Sequence, residues 1–372
     1  MHCEIEFLPV GDASAAGDAI VVRYGYDDDY DLMLVDGGHE KTGNEIVEHL
    51  YDYFGPDPVV EHVVLTHSDA DHASGLRAVL RQVQVNNLWL HVPWVLAEEA
   101  RVSSLFSDPR WTAEGLRTEI ERQYDIISEL VDIAREIDCS IRLPFQGQHI
   151  GPFLVCSPSR EIYRFLLPQF EKTPDPHQAA IEYFDMWIGK QSWISKVLRG
   201  AVSEVQRWVK ESWDHELLRD GGITSASNES SVVLYGDFDN NNRVLLTGDA
   251  GNRALGWVAD YLEDQGLPLR QFALVQVPHH GSRSNVGPTI LNRLIGPTLP
   301  PNTNPQFSAF VSAPKDDSTH PRRIVLNAFK RRGAFTNATQ GGKIIHWGGF
   351  QPRPNYQPLE AIPFYTSVEE YT

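Results

Sequence analysis

Apolar residues in the first ninety positions come in short runs interleaved with polar ones, the pattern of strands: CEIEFLPV, AIVVRYGY, DLMLVDGG, HVVLTHS and NNLWLHVP. Between the third and fourth runs, Gly43 to Phe54 has helical character and stops at Gly55-Pro56. Asp36-Gly37-Gly38 closes the third run, where glycine lets the backbone turn tightly. From about Ala97 to Ile137 the spacing changes to three and four, and WTAEGLRTEIERQYDIISELVDIAREI predicts one long amphipathic helix. IRLPF and PFLVCSPS return to strand. A second helical block follows from Arg160 to about Asp220, and its Trp187, Trp193, Trp208 and Trp213 read as packing groups. The last third alternates strands (SVVLYG, RVLLTGD, FALVQVPHHGS, FSAFVSAP) with helices (GNRALGWVADYLEDQ, GPTILNRLI, HPRRIVLNAFKRRG). Gly296 to Gln306 is a proline- and asparagine-rich surface loop. Two strand-rich halves around helical blocks predict an α/β chain with two sheets face to face and helices outside. It reads as a single domain, 1–372, with helical insertions at about 97–138 and 160–220.

Composition narrows the picture only a little. Lys plus Arg number 32 against 50 Asp plus Glu, a formal charge of −18, which repels phosphate polymers and membrane surfaces at long range unless a local cleft overrides it. Cys3, Cys139 and Cys156 have no metal-type spacing and suit a reducing interior. The opening MHCEIEFLPVGD lacks the features of a signal peptide, and no apolar run approaches a membrane span, so a cytoplasmic location and no membrane partner are expected.

Candidate chemistry gathers where strands stop. LTHSDADHASG, residues 65–75, crowds His67, Asp69, Asp71 and His72 together directly after an apolar run. If the stretch starts extended, His67, Asp69 and Asp71 point the same way, and His72 follows on the turn into a helix. Imidazole and carboxylate together suit zinc, manganese or iron, and two such ions can activate water for hydrolysis. A histidine-containing helix cap is the bland alternative. Four chelating side chains after one strand favour the metal site. RVLLTGDAG sets Asp249 after another strand, where it could bridge two ions or simply serve a turn. LVQVPHHGSRS sets His279 and His280 after a third. Adjacent side chains diverge from an extended strand, so one ligates while the other orients or meets substrate, and the sequence leaves open which. His320 in STHPRR, read alone, is a surface turn histidine. Arg283, PRR at 321–323 and FKRR at 329–332 read either as substrate contacts or as a solvated face.

Taken in order, GDAIVV, LVDGG, LTHSDADHASG, NESSVVL, LLTGDA, VPHHGS, the HP at 320–321 and TNATQGGKIIHW resemble the metallo-β-lactamase superfamily. That family's first metal motif reads H-x-H-x-D-H, and Asp69 stands here for the second histidine. Within it the chain is similar to the hydrolase domain of ComEC-type DNA-uptake (competence) proteins. The resemblance implies an αββα sandwich, two divalent ions (zinc or manganese), and a phosphodiesterase or nuclease that uses a metal-bound hydroxide on a phosphodiester, nucleic acid or nucleotide. Carried over residue by residue, His67 and Asp69 hold one ion, Asp71 and His72 the other, Asp249 bridges them and His279 completes the second site. Asp36 orients the first motif. His280, Ser282 and His320 lie around the substrate, with Asp71, His280 and His320 nearest the chemistry and Arg283 as cationic help.

Two departures qualify this. The family's third-motif histidine has no counterpart in SNESSVVLYGDFDN, where Ser230 or Asn228 stands, and Asp69 favours harder ions such as manganese. The ComEC membrane channel has no counterpart in these residues, so DNA uptake is not carried over. Hydrolysis of a carboxylic ester, lactone or lactam, or a non-catalytic role as an interaction module, are the competing readings. Protein partners, oligomeric state and substrate identity are not legible.

Overall fold

Residue alternation decides which way each strand faces. The computed structural model describes residues 1–11, 16–99, 102–191, 207–353 and 356–371. Its strands are β1 (His2–Phe7), β2 (Ile20–Tyr26), β3 (Asp29–Val35), β4 (Val59–Val64), β5 (Gln84–Trp89), β6 (Ser140–Arg142), β7 (His149–Ile150) and β8 (Phe153–Ser157). They continue with β9 (Trp208–Lys210), β10 (Val233–Phe238), β11 (Asn242–Leu246), β12 (Leu274–Gln276), β13 (Phe307–Val311), β14 (Ala334–Ala338), β15 (Ile344–Gly348) and β16 (Ser367–Glu369). One sheet has the order β15-β1-β2-β3-β4-β5-β6 and the other β14-β13-β12-β11-β10-β8-β7, while β9 pairs with β16 apart from both.

Ile5, Phe7, Ile20, Val22, Met33 and Val35 of the first sheet share a core with Phe153, Val155, Leu234, Val244 and Leu246 of the second. Phe7 and Phe310 meet edge to face across the gap, with centroids 5.5 Å apart. The intervening residues Val21, Leu34, Val63 and Leu245 turn to the opposite faces and join the core that holds Ile46, Leu50, Leu76 and Val79 of the covering helices. The result is the expected αββα sandwich. Strands β3 to β6 pair in parallel, as do β11 to β14, so within each sheet their carboxyl ends lie at one edge. Loops leaving those ends carry every metal ligand expected from the sequence, as parallel sheets generally arrange.

Three expectations change. The single helix over 111–137 is two, Ala113–Gln123 and Asp125–Glu136, broken at Tyr124 (φ −106°, ψ 55°). Tyr124 leaves helical dihedrals with its ring buried, so packing overrides the continuous helical spacing. The second block is helical over Arg160–Leu166 and Gln178–Gln191 only; beyond it the backbone pairs as β9 and then runs irregularly to Ser225. Trp193 lies outside the described residues. Trp213 does pack, its Nε1 donating to Leu299 O and its ring against Phe364, whereas Trp208 is half exposed under the Arg323 guanidinium.

Third, the FKRR charges are engaged within the fold and not at a ligand site. Lys330 donates to Ile362 O. Arg331 is fully buried between Glu211 and the carbonyls of Ser212 and Trp213, and Arg332 pairs with Glu216. They tie segments distant in sequence to the helix Arg323–Arg331. No described helix is long and apolar enough to cross a membrane.

Candidate metal centre

Asp36 leaves β3 with φ at 59°, and its N–H donates to Val64 O at the end of β4. Its carboxylate then accepts from Thr66 N–H (2.7 Å), from the Thr66 hydroxyl (2.7 Å) and from His72 Nδ1 (2.7 Å). The glycines beside it work by close approach: Gly37 N donates to His72 O, Gly75 N donates to Gly38 O, and a Cβ on Gly75 would lie 2.0 Å from the Gly37 carbonyl oxygen. The DGG turn therefore grips the short helix Ala70–Ala73 by its backbone and fixes where its side chains aim.

Each histidine has one ring nitrogen engaged and the other turned inward. His67 Nδ1 donates to Thr66 Oγ1 (3.0 Å), whose own hydrogen is committed to Asp36; His72 Nδ1 donates to Asp36; His280 Nδ1 donates to Ser312 O (3.2 Å). His279 Nδ1 donates to Asn285 Oδ1 (2.7 Å), an oxygen fixed as acceptor because Asn285 Nδ2 donates to Asp249 O. In the neutral ring each of the four Nε2 atoms is thereby the lone pair, the arrangement that metal ligation needs, and a proton is the alternative occupant of the same position. His67 Nε2 lies 3.5 Å from Asp69 Oδ2 and 3.8 Å from Asp249 Oδ2. Asp249 Oδ1 lies 3.5 Å from His72 Nε2, while its Oδ2 is 3.6 Å from His279 Nε2 and 3.9 Å from His280 Nε2.

The neighbouring histidines do not diverge as an extended chain would make them. Both adopt left-handed φ (49° and 55°), which rolls the pair into a tight turn with both rings facing Asp249. Potential ligand atoms within 4.8 Å of one another group as His67, His72 and Asp249, and as Asp71, His72 and His280. His280, rather than His279, accompanies Asp71 and His72.

Electrostatics and hydrogen bonding both ask for a cation here. Burial opposes charge on His72, yet Asp249, Asp36 and Asp71 outweigh it and raise its pKa well above the ordinary imidazole value. His280 is likewise desolvated but pushed up to about 9, chiefly by Asp249. Asp249 is desolvated and still held well below the usual carboxylate range by His279, His72 and His280. Nε2 of His67, His72 and His280 and Oδ1 of Asp249 are buried without a hydrogen-bond partner. Buried polar atoms left so are costly unless something fills the space between them. Imidazole nitrogens mixed with carboxylate oxygens fit a divalent ion such as zinc or manganese.

The remaining predicted residues divide. His320 sits beside the centre, its ring stacked 6.4 Å from that of His279 and its Nδ1 held by Asp317 (3.2 Å). Asn228 Nδ2 reaches the His279 ring at 3.2 Å, but Ser230 turns its hydroxyl to Ser227 O; it is Ser227 Oγ that donates to Asp69 Oδ1, at 2.7 Å. Ser282 Oγ accepts from Ser284 N within its own turn. Arg283 donates to Glu370 O and stacks on Tyr371, so it secures the C-terminal segment. Asp18 was missed: it is buried against the centre, accepts from Gln276 Nε2 (2.8 Å) and groups with Asp249 and His280. Its signal was the aspartate opening the buried run GDAIVV. Thr66, Ser227 and Asn285 gave no signal, since nothing local marks a hydroxyl or amide that orients a distant ligand.

Residues 15–136 match the family model described as Metallo-beta-lactamase superfamily. The chain thus contains a metallo-beta-lactamase superfamily domain, and its fold is the metallo-β-lactamase fold. Asp249, His279 and His280 lie beyond the matched segment and join it only in three dimensions. Among curated proteins none matches the chain. Among solved structures it is similar to the metallo-beta-lactamase fold protein YhfI from Bacillus subtilis (10% identity, 94% of this chain and 100% of that one, TM-score 0.41). It is also similar to unliganded PDE1 from yeast (11%, 93% and 99%, TM-score 0.41) and to a long form RNase Z from yeast (11%, 92% and 41%, TM-score 0.37).

Proposed function

We propose that the protein is a metal-dependent hydrolase of phosphodiesters. The observation that carries this reading is the convergence of four imidazole Nε2 atoms, each with its Nδ1 hydrogen-bonded, on the two oxygens of the buried Asp249. His67, Asp69 and His279 would hold one divalent ion, Asp71, His72 and His280 the other, and Asp249 would reach both. In this assignment His279 fills the position left by the missing third-motif histidine, and Asn228, standing near that place in sequence, touches its ring. Ions bound there would lower the pKa of a bound water and neutralise charge gathering on the phosphate. Asp36 and Thr66 keep His67 and His72 in the ligating tautomer. Asn285 does the same for His279 while holding the backbone of Asp249. His320, neutral at pH 7 because burial lowers its pKa by more than Asp317 raises it, presents Nε2 as a proton acceptor at the rim.

The two carboxylate oxygens of Asp249 face different histidines, a layout suited to paired ions that would clamp attacking and leaving oxygens in phosphoryl transfer, and a carboxylic ester is the competing substrate. The test is metal content and stoichiometry of the purified chain, followed by assays with manganese and zinc against a nitrophenyl phosphodiester, nucleotides and a nitrophenyl carboxylic ester. Loss of turnover in His67→Ala and Asp71→Ala with the fold retained supports the reading. Absence of turnover with any metal defeats it in favour of an interaction module.

A further inference from the structure

On the side of Asp69 and Asp71 the centre opens into a cleft of about 540 Å³, the size of a small-molecule site. One wall is Ser225–Ser227 and the other belongs to the insertions: Tyr124, at the helix break, and the turn Gln169–Lys172. That turn is held firmly. The Thr173 hydroxyl reaches both Leu167 O and Phe170 O at 2.9 Å, and the buried Phe170 ring packs edge-on against Tyr163. Lys172 projects from it with Nζ 5.6 Å from the Tyr124 ring centroid, a contact that keeps the ammonium at the cleft. Among the described residues lining the cleft Lys172 is the only cation, beside Asp69, Asp71 and Glu171. Arg283, Arg331 and Arg332 are engaged within the fold. A nucleic-acid polymer is normally tracked by a row of cations, and this cleft supplies one.

We propose that Lys172 is a specificity-determining residue. The cleft receives the alcohol portion of a small, nucleotide-sized phosphodiester, and Lys172 pairs with a second phosphate carried on that portion. The inference rests on the phosphodiesterase reading above. Its test uses the full chain with manganese and two esters, thymidine 5′-(4-nitrophenyl phosphate) and the same compound bearing a 3′-phosphate. Lys172→Gln is expected to raise KM about tenfold for the 3′-phosphorylated ester with kcat within about twofold, and to leave KM for the other ester within about twofold. Lys172→Arg should restore most of the difference. Thymidine 3′,5′-bisphosphate, titrated calorimetrically, should bind about tenfold more weakly to Lys172→Gln. Equal effects on both esters, no effect on either, or duplex DNA cleaved as efficiently as the small esters would overturn the proposal. Wild-type protein that cleaves neither ester with any metal refutes the phosphodiesterase reading instead, and the calorimetric comparison then decides the role of Lys172 alone.

Discussion

Replacing Asp36 by asparagine exchanges one oxygen for an NH2 group of nearly the same size at a position closed to solvent. The carboxylate accepts three hydrogen bonds, one on Oδ1 and two on Oδ2. If the amide oxygen keeps the Thr66 N–H, the NH2 faces both the Thr66 hydroxyl and His72 Nδ1; the hydroxyl can rotate and accept, but at His72 two donors collide unless the ring moves its proton to Nε2. That tautomer can satisfy Asp249 Oδ1, 3.5 Å away, but it no longer offers a lone pair to a metal. If the amide flips, its NH2 meets Thr66 N–H instead, and a buried donor is left unsatisfied at a cost of about 1–3 kcal/mol. The first route preserves the fold better, so the variant should stay folded and lose metal. Removing a hydrogen bond that orients a metal-ligating histidine typically costs about 10–100-fold in affinity, or about 1.4–2.7 kcal/mol. Manganese and zinc affinities by chelator competition, read beside circular dichroism and urea unfolding of the metal-free protein, measure both quantities. Asp36→Asn that binds metal within about twofold of wild type would refute the tautomer argument, and so would a variant whose affinity falls only as it unfolds.

Two other perturbations test the frame around the centre. His91 is buried between Phe145 and Tyr163 with the Pro144 backbone beside its ring, and burial outweighs that contact and lowers its pKa to about 3. Because the folded pKa lies below the unfolded one, near 6.5, the unfolded state takes up the proton first as pH falls; stability is unaffected above about 6.5 and drains progressively down to about 3, with about 2 kcal/mol gone by pH 5. His91→Phe should therefore lose about 2 kcal/mol less than wild type between pH 8 and pH 5 in urea unfolding; parallel pH profiles would contradict the assignment. Arg331→Met leaves Glu211 buried opposite a thioether and should cost about 3–5 kcal/mol of stability while metal stoichiometry stays unchanged. A loss of metal without loss of stability would return that arginine to the site.

Legibility in the sequence followed the range of the interaction. Alternation along Ile5–Phe7 and Met33–Val35 specifies the inner face of each strand, because a one-residue slip would expose the whole set, so the sandwich could be read directly. His67, Asp69, Asp71 and His72 were legible for a similar reason: their spacing and the apolar run before them are local. The break at Tyr124 was not, because two short helices and one long one share the same spacing. Nor was the geometry of His279 and His280, which needs left-handed backbone at two consecutive non-glycine residues beside an amide at Asn285. The charges of Arg331 and Arg332 misled, since their partners Glu211 and Glu216 lie more than a hundred residues away.

On the proposed reading an acidic chain acts on an anion, a paradox only if net charge operates at the reaction centre. At physiological ionic strength fields are screened over about 8 Å. A phosphate within reach of the centre therefore responds to whatever cations are bound there and to Lys172, whereas the far ends of a long polyanion respond to the surrounding carboxylates and the formal charge of −18. Salt should then act with the sign opposite to that of an ordinary nucleic-acid protein, whose binding weakens as salt rises. The ratio of kcat/KM for a single-stranded 20-mer to that for a mononucleotide ester should increase between 20 and 200 mM NaCl, because salt relieves repulsion felt only by the longer substrate. A ratio that falls instead would reveal a cationic track outside the cleft. The small-substrate reading would fail with it.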